Sequence, residues 1–492
     1  MPAHSSPSNT LFIAGAWMSS ASGRIFPVKD PATLEVIGEC ADADGSGASA
    51  ALEAAYAAFT EWSKLPADRR ANKLHRLAQL VERDQAALAD LLIAESGKPR
   101  RDAVGEVSSS VSYLRWNAEE AIRIHGRTLA APRPNLRLWT QKQPVGVVVA
   151  ITPWNYPLNT LCRKIAPALA AGCPVIVKPA MQTPLSALAL MRLAEEAEIP
   201  AGVLSLVTTS QIEETVRVWM DDPRVRKIAF TGSTAVGKRL VRESAATLKR
   251  VSLELGGHAP ALVFDDACLE STADAIVQSR FRHAGQTCIC VQRVVVHESV
   301  AEELLFELQK RIEKLKVGNG SDPQTDIGPL IHEQAWLRVR SHVEDALSKG
   351  ATLRCGGRRL ELADPNRGYF CQPTLLDSVL PGMRVMQEET FGPVLAISRF
   401  STEAQAIAEA NATAYGLVAY AFTRDLGRAH RLVEGLEFGT VGINETGIVS
   451  PHLPFGGMKD SGVGKENGSE GIEEYLELKS AVVRLPDERA FQ

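Results

Sequence analysis

The chain is short of cysteine. It has eight in 492 residues, at positions 40, 162, 173, 268, 288, 290, 355 and 371. That is too few, and too irregular, for a disulfide framework. No C-x-x-C pair and no H-E-x-x-H stretch occurs, so no metal site is expected. No run of about 18 apolar residues exists, which argues against a membrane-spanning helix. Positive charge is not in excess: 54 Lys and Arg stand against 58 Asp and Glu, a net charge of −4. A nucleic-acid binder would be expected to carry a basic domain or stripe. Met1 to Thr10 is polar without an apolar core, so no secretory leader is expected. With the sparse cysteines, this points to a reducing, cytoplasmic compartment. Internal repeats, low-complexity segments and the dinucleotide G-x-G-x-x-G spacing are absent as well.

What is present suits a large globular chain, with 45% hydrophobic and 23% charged residues. The length allows two to four domains. Residues 11 to 40 read as short strands and turns. Helices are expected at about 48–62, 68–94 and 102–124. Residues 128 to 143, with Pro132 and Pro134, suit an extended hairpin. From Val145 the pattern changes. Buried β-branched strands (145–151, 174–177, 203–207, 227–230) alternate with helices (158–170, 184–197, 211–220, and one through about 245). That alternation predicts an α/β, doubly wound sheet. Its ligands should sit off the C-terminal strand ends, at Pro153-Trp154-Asn155, Lys178-Pro179 and Thr231-Gly232-Ser233. A second α/β region spans about 255–445, with strands at 261–264, 293–297 and 394–397 and helices near 270–284, 300–315, 333–349 and 403–411. Glu474 to Lys479 alternates like an edge strand.

Gly285-Gln286-Thr287-Cys288-Ile289-Cys290 is poor core material, and Glu254 is a lone carboxylate in the apolar run Leu253 to Gly257. Such a thiol and carboxylate suggest a nucleophile and a base. Singly, Cys288 also reads as an inert packed thiol and Glu254 as a satisfied buried acid. Gly232 to Lys238 nearly forms a P-loop, but Arg239 stands where Ser or Thr would hold Mg²⁺, which disfavours an ATPase. What remains is a strand, a glycine turn and a helix N-terminus, which suits either a phosphate or a plain turn. Lys178 either leaves its strand for water or contacts ribose or phosphate. Asn155, stiffened by Pro153 and Pro157, either donates to an oxyanion or caps the next helix.

Taken together, Pro153-Trp-Asn-Tyr-Pro157, Phe230-Thr-Gly-Ser-Thr234, Leu253-Glu-Leu-Gly-Gly257, Gly285-Gln-Thr-Cys288, Glu388-Glu-Thr-Phe-Gly-Pro-Val394 and Pro454-Phe-Gly-Gly457 resemble the NAD(P)-dependent aldehyde dehydrogenase superfamily over essentially the whole chain. The resemblance implies a cofactor domain (1–124 and 143–254), a catalytic domain (255–450) and an oligomerisation element (125–142 and 466–492). It implies Cys288 as nucleophile, Asn155 and the Cys288 N–H as oxyanion donors, and Glu254 as the base. Trp154, Lys178, Gly232, Ser233, Gly237, Glu389 and Phe391 would serve the cofactor, NADP or NAD. Gln286 belongs to the nucleophile motif, and Glu466 matches a glutamate linked to proton relay. A binding or structural protein that kept this fold without the chemistry would be expected to lack one of Cys288, Glu254 and Asn155, and all three are present.

Within the superfamily the chain resembles succinate-semialdehyde dehydrogenases most. Arg163 and Arg282 match the arginines that hold the substrate carboxylate, and Ser450 matches the hydroxyl that assists them. Cys290 matches a second cysteine that forms a reversible disulfide with the nucleophile. Three departures stand out. Asn117 replaces a bulky aromatic, and Pro451-His452 replaces a more polar or acidic pair, so a wider pocket and a five-carbon semialdehyde compete. Met181 stands where NAD-preferring relatives often carry a ribose-binding Glu, so NADP is expected to be accepted. A homodimer or homotetramer is implied.

Overall fold

The structure is a computed structural model and describes residues 9–486. Most of the polar stretch Met1 to Thr10, and the end of the expected 466–492 element, lie outside the described residues.

Strands Val147–Ile151 and Val175–Lys178 are buried at every position. Alternate residues point to opposite faces, so each face needs its own helical cover. Val148, Ala150, Val175 and Val177 pack with helices Ala67–Arg83, Arg100–Ala121, Pro157–Ala171 and Leu185–Glu196. Val147, Val149, Ile151 and Ile176 pack with helices Gly45–Lys64 and Ile212–Asp221, around the fully buried Trp219. The result is an eight-stranded sheet whose five central strands are parallel, in the order 204–206, 175–178, 147–151, 225–231, 250–254. The chain builds outward in one direction from Val147–Ile151, then crosses over and builds in the other. The switch point lies between Val147–Ile151 and Val225–Thr231, where a ligand crevice is expected in such sheets. Along the C-terminal edge Ile151 pairs with Lys178 and Thr231 pairs with Glu254.

A second, seven-stranded sheet runs 352–355, 374–377, 394–400, 293–297, 260–263, 418–422, 440–443 and is parallel except for its first strand. Leu476–Arg484 pairs antiparallel with Leu136–Pro144 along its full length, and Thr128–Leu129 completes a small third sheet. No helix among the described residues is long and apolar enough to cross a membrane.

Several expected elements are corrected. The helix expected at 68–94 is two helices, Ala67–Arg83 and Gln85–Ser96, broken at Asp84 (φ −98°, ψ 19°), whose carboxylate takes a two-pronged bond from Arg83. The helix expected at 270–284 stops at Phe281. His283, Ala284 and Gly285 then adopt left-handed φ angles of 48°, 55° and 71°. Strands Thr374–Asp377, Val418–Phe422 and Thr440–Ile443 were not anticipated. They are short apolar runs that periodicity does not separate from buried helix.

Candidate active site

The left-handed run His283–Gly285 turns the chain back towards the first sheet. At Gly285 a Cβ would lie 2.6 Å from the Gly392 carbonyl, so only glycine fits that close approach. Gln286 is fully buried. Its amide donates to the carbonyls of His283 and Pro329, both at 3.3 Å, and accepts from the Ile331 N–H at 3.0 Å. It is a strut that holds the loop open. The Cys288 carbonyl presses on Gly257, where a Cβ would come within 2.2 Å of it. The strand bearing Glu254 therefore ends directly beneath Cys288.

Cys288 keeps a half-buried side chain. Burial pushes its thiol well above the ordinary range. The carboxylates of Glu389 and Glu254 push it further, and Arg163 opposes them. Glu254 is buried with Oε2 unpartnered. Burial raises its carboxyl well above the usual value, Glu466 adds to the rise, and Arg163, Lys164 and Lys465 oppose it. Burial also pushes Glu466 up, but Lys164 at 2.6 Å and Arg163 at 2.8 Å hold it below the ordinary value. Two neighbouring glutamates are thus driven apart in acidity. Asn155 follows strand Val147–Ile151, and its Nδ2 donates to the Gln286 carbonyl at 3.0 Å. Asn155, Glu254 and Cys288 thus gather at one place.

On the far side of the switch point, Ser233 is extended (ψ 145°) and starts helix Thr234–Ser244 without a capping side chain. Lys178 is buried, with the Pro179 carbonyl at 3.2 Å as its hydrogen-bond partner and no carboxylate within ion-pair distance among the described residues. Burial lowers its ammonium to about 8. A buried cation without a counter-ion and an uncapped helix N-terminus, at the C-terminal ends of strands on either side of Val147–Ile151, fit a phosphorylated dinucleotide. Gly232 and Gly237 serve packing: a Cβ would meet the Phe230 ring at the first and Leu255 at the second, each at 2.4 Å. Glu389 Oε1 accepts from the Gly257 N–H at 3.0 Å, and burial raises its carboxyl to about 7. Phe391 stands edge-on to Trp154, ring centres 5.5 Å apart. Met181 is half-buried against the first core.

The arginines differ in their company. Arg163 is buried between the rings of Tyr113 (5.5 Å) and Phe455 (4.6 Å) and already pairs with Glu466. Arg282 is 44% exposed, 3.7 Å from Asp102 and 5.8 Å above the Tyr156 ring. Ser450 Oγ lies 3.1 Å from Nδ1 of His452, whose ring stands edge-on to Trp116 at 4.6 Å. Asn117 is buried and its amide folds back on the Tyr113 carbonyl. Trp116, one residue earlier, is the aromatic that reaches the 450s loop.

The model of the family described as Aldehyde dehydrogenase family matches residues 17–481. The chain belongs to the aldehyde dehydrogenase family. A succinate semialdehyde dehydrogenase of Acinetobacter baylyi is 46% identical over 467 residues, 95% of this chain and 96% of that one. A 3-sulfolactaldehyde dehydrogenase of Pseudomonas putida is 46% identical over 468 residues, 95% of each chain. The crystal structure of an NADP-dependent enzyme of E. coli superposes with a TM-score of 0.95 at 44% identity, covering 97% of this chain and 98% of that one.

Sequence reading passed over several residues that this dehydrogenase packs around the site. Arg280 is fully buried and donates to Cys290 Sγ at 2.9 Å and to the Gly392 carbonyl. Burial raises the Cys290 thiol, and Arg280 opposes the rise. His342 is fully buried, 3.1 Å from Thr390 Oγ1 and 3.2 Å from Glu388, and braces the loop that carries Glu389 and Phe391. Lys98 and Glu106 form an ion pair with both side chains fully buried. The available signal was weak: each of these basic residues sits among polar, charged or turn residues. That pattern reads equally as surface until a partner is known.

Proposed function

We propose that this dehydrogenase oxidises a short aldehyde with an anionic group at its far end, succinate semialdehyde above others, to the corresponding acid. The observation that carries the reading is two guanidiniums beside the nucleophile loop: Arg163, close enough to act on both the Cys288 thiol and Glu254, and Arg282, six residues before Cys288 and over the Tyr156 ring. A fixed guanidinium suits a carboxylate better than an ammonium does. The relatives named for succinate semialdehyde and sulfolactaldehyde add support, since both names describe aldehydes with an anionic tail. Half-exposed Arg282 also leaves room for the longer glutarate semialdehyde.

In this reading Glu254, its carboxyl made more basic by burial, takes the Cys288 proton. The thiolate adds to the aldehyde carbonyl and gives a thiohemiacetal. Asn155 Nδ2 and the Cys288 N–H stabilise its oxyanion. Lys178, Ser233, Glu389, Phe391 and Trp154 would hold NAD(P), which when bound would accept the hydride that the thiohemiacetal carbon gives up. The thioester left on Cys288 is hydrolysed by water that Glu254 deprotonates, releasing the acid and the thiol. Glu466 keeps its charge beside Lys164 and is suited to pass the proton on. With Met181 in place of a carboxylate, nothing at that position repels a 2′-phosphate, so NADP is accepted. Cys290 acts as a redox partner of Cys288, and Arg280 keeps it turned aside in the reduced enzyme. The cofactor part comprises 1–124 and 143–254, the catalytic part 255–450, and the segments 125–142 and 466–492 join subunits.

The test is kcat/KM for succinate semialdehyde, glutarate semialdehyde and hexanal, each with NAD and NADP. The carboxylated aldehydes are expected to win. Preference for hexanal would overturn the roles of Arg163 and Arg282. For the redox role, mild peroxide should inactivate the enzyme reversibly by way of a 288–290 disulfide visible by mass spectrometry. Its absence refutes that role.

A further inference from the structure

Asn155 does not hold its own position. Its side-chain amide is planar with two N–H groups, and one is committed to the Gln286 carbonyl at 3.0 Å. The direction of the other is then set by wherever the Asn155 backbone sits. That backbone is gripped from a distant link of the chain. Lys98 Nζ donates to the Asn155 carbonyl at 2.7 Å and lies 4.4 Å over the face of the next residue's ring, Tyr156. Lys98 is ion-paired to Glu106, and both side chains are 0% exposed. Glu106 Oε1 in turn accepts from the N–H groups of Leu158 at 2.9 Å and Asn159 at 3.1 Å. These are among the free donors of helix Pro157–Ala171. One buried ion pair therefore fixes the chain from 155 to 159.

The grip closes on itself. Lys98 lies in the tight link between helices Gln85–Ser96 and Arg100–Ala121. Gly97 there is left-handed (φ 71°), and a Cβ on it would strike Pro329 at 2.7 Å. A Cβ on Gly320 would come within 2.3 Å of the Lys98 carbonyl. Pro329 and Ile331 hold the Gln286 side chain, and the Gln286 carbonyl takes the Asn155 amide. The backbone and the side chain of Asn155 are thus referred to the same wall of protein.

We propose that the buried Lys98–Glu106 pair is a positioning device that aims the free N–H of Asn155 at the oxyanion formed on the Cys288 adduct. It rests on the assignment of Asn155 as oxyanion donor made above. Helix capping alone would need only the carboxylate; the ammonium adds a bond to Asn155. Misplacing a catalytic group by about 1 Å costs on the order of 10²-fold in rate.

The test uses the full-length enzyme with Lys98→Met/Glu106→Gln, because either charge removed alone strands the other in the core. The expected result is a folded protein with KM for NAD(P) and the rate of Cys288 alkylation by iodoacetamide unchanged, and kcat lowered by about 10²-fold. In an Asn155→Ala background the same pair should lower kcat by less than about threefold more, since residues acting as a unit are not additive. Lys98→Gln/Glu106→Gln, which keeps a donor at 98, should recover part of the loss. A folded Met/Gln variant with kcat within about threefold of wild type overturns the proposal, as does a fully multiplicative loss in the Asn155→Ala background. A Met/Gln variant that does not fold assigns the pair to stability and overturns it too. If Asn155→Ala alone keeps kcat, it is the oxyanion assignment that fails.

Discussion

At the scale of single residues, burial does most of the tuning. Glu254 is the clearest case. Its carboxyl is raised in the folded state above the 4.5 of an exposed glutamate, by burial first and Glu466 second. A raised acid leaves stability intact below the unfolded value and removes it as pH climbs towards the folded one. Glu254→Gln should therefore melt above the wild type at pH 8, with the gap closing near pH 4.5; calorimetry at the two pH values decides it. The same variant should lose oxidation while still binding NADP. Asn155→Ala should lower kcat by about 10²–10³-fold, the usual cost of one oxyanion donor. Lys178 works in the opposite sense. Its ammonium, lowered to about 8 by burial, is charged below that pH and neutral above it. KM for NADP should rise once pH passes about 8, more than KM for NAD, and Lys178→Met should flatten the profile. Cys288, Glu254 and Asn155 drew notice as polar groups in apolar or proline-stiffened segments, but each had a plain structural reading until the family resemblance linked them. Lys98 drew no notice. A lysine between Gly97 and Pro99 reads as a helix stop, and its meaning depends on Asn155, 57 residues away.

At the scale of elements, the parallel strands were legible because continuous β-branched runs leave few alternatives. Val147–Ile151 and Arg293–His297 follow that reading closely. Helix Glu403–Asn411 matches its expected span as well. The turn from helix Leu269–Phe281 into the Cys288 loop was not legible. Two of its three left-handed residues, His283 and Ala284, carry side chains that usually avoid that conformation, so only tertiary contacts hold them there. Gly285 completes the run against the Gly392 carbonyl. Gly285→Ala should destabilise the protein by about 1–3 kcal/mol and shift Cys288, seen as a lowered Tm with slowed alkylation of the thiol. The break at Asp84 was hidden for a simpler reason: aspartate is tolerated in helices, and no proline or glycine marks the spot.

At the scale of the whole molecule, the strand Leu476–Arg484 has one edge unpaired among the described residues and exposes Leu478 and Val482, 57% and 67% accessible. An open apolar edge is a liability unless another chain covers it. A dimer or tetramer is therefore expected by sedimentation, and Val482→Glu should shift the mass towards the monomer.

The segment just before that strand has a temporal meaning. Gly462–Val463 closes the sheet edge beside Glu254, Glu466 pairs with Lys164 and Arg163, and Glu474 reaches Lys227. Gly462, Val463, Glu466 and Glu474 are all synthesised after Asn155, Glu254, Cys288 and the parallel strands of the first sheet. Until they arrive, strand Arg250–Glu254 lacks the partner that pairs with Leu253 and Glu254 on that flank. A nascent chain thus carries Cys288 through the synthesis of 174 further residues to Gly462, roughly 10–40 s at ordinary elongation rates, before the edge beside Glu254 closes.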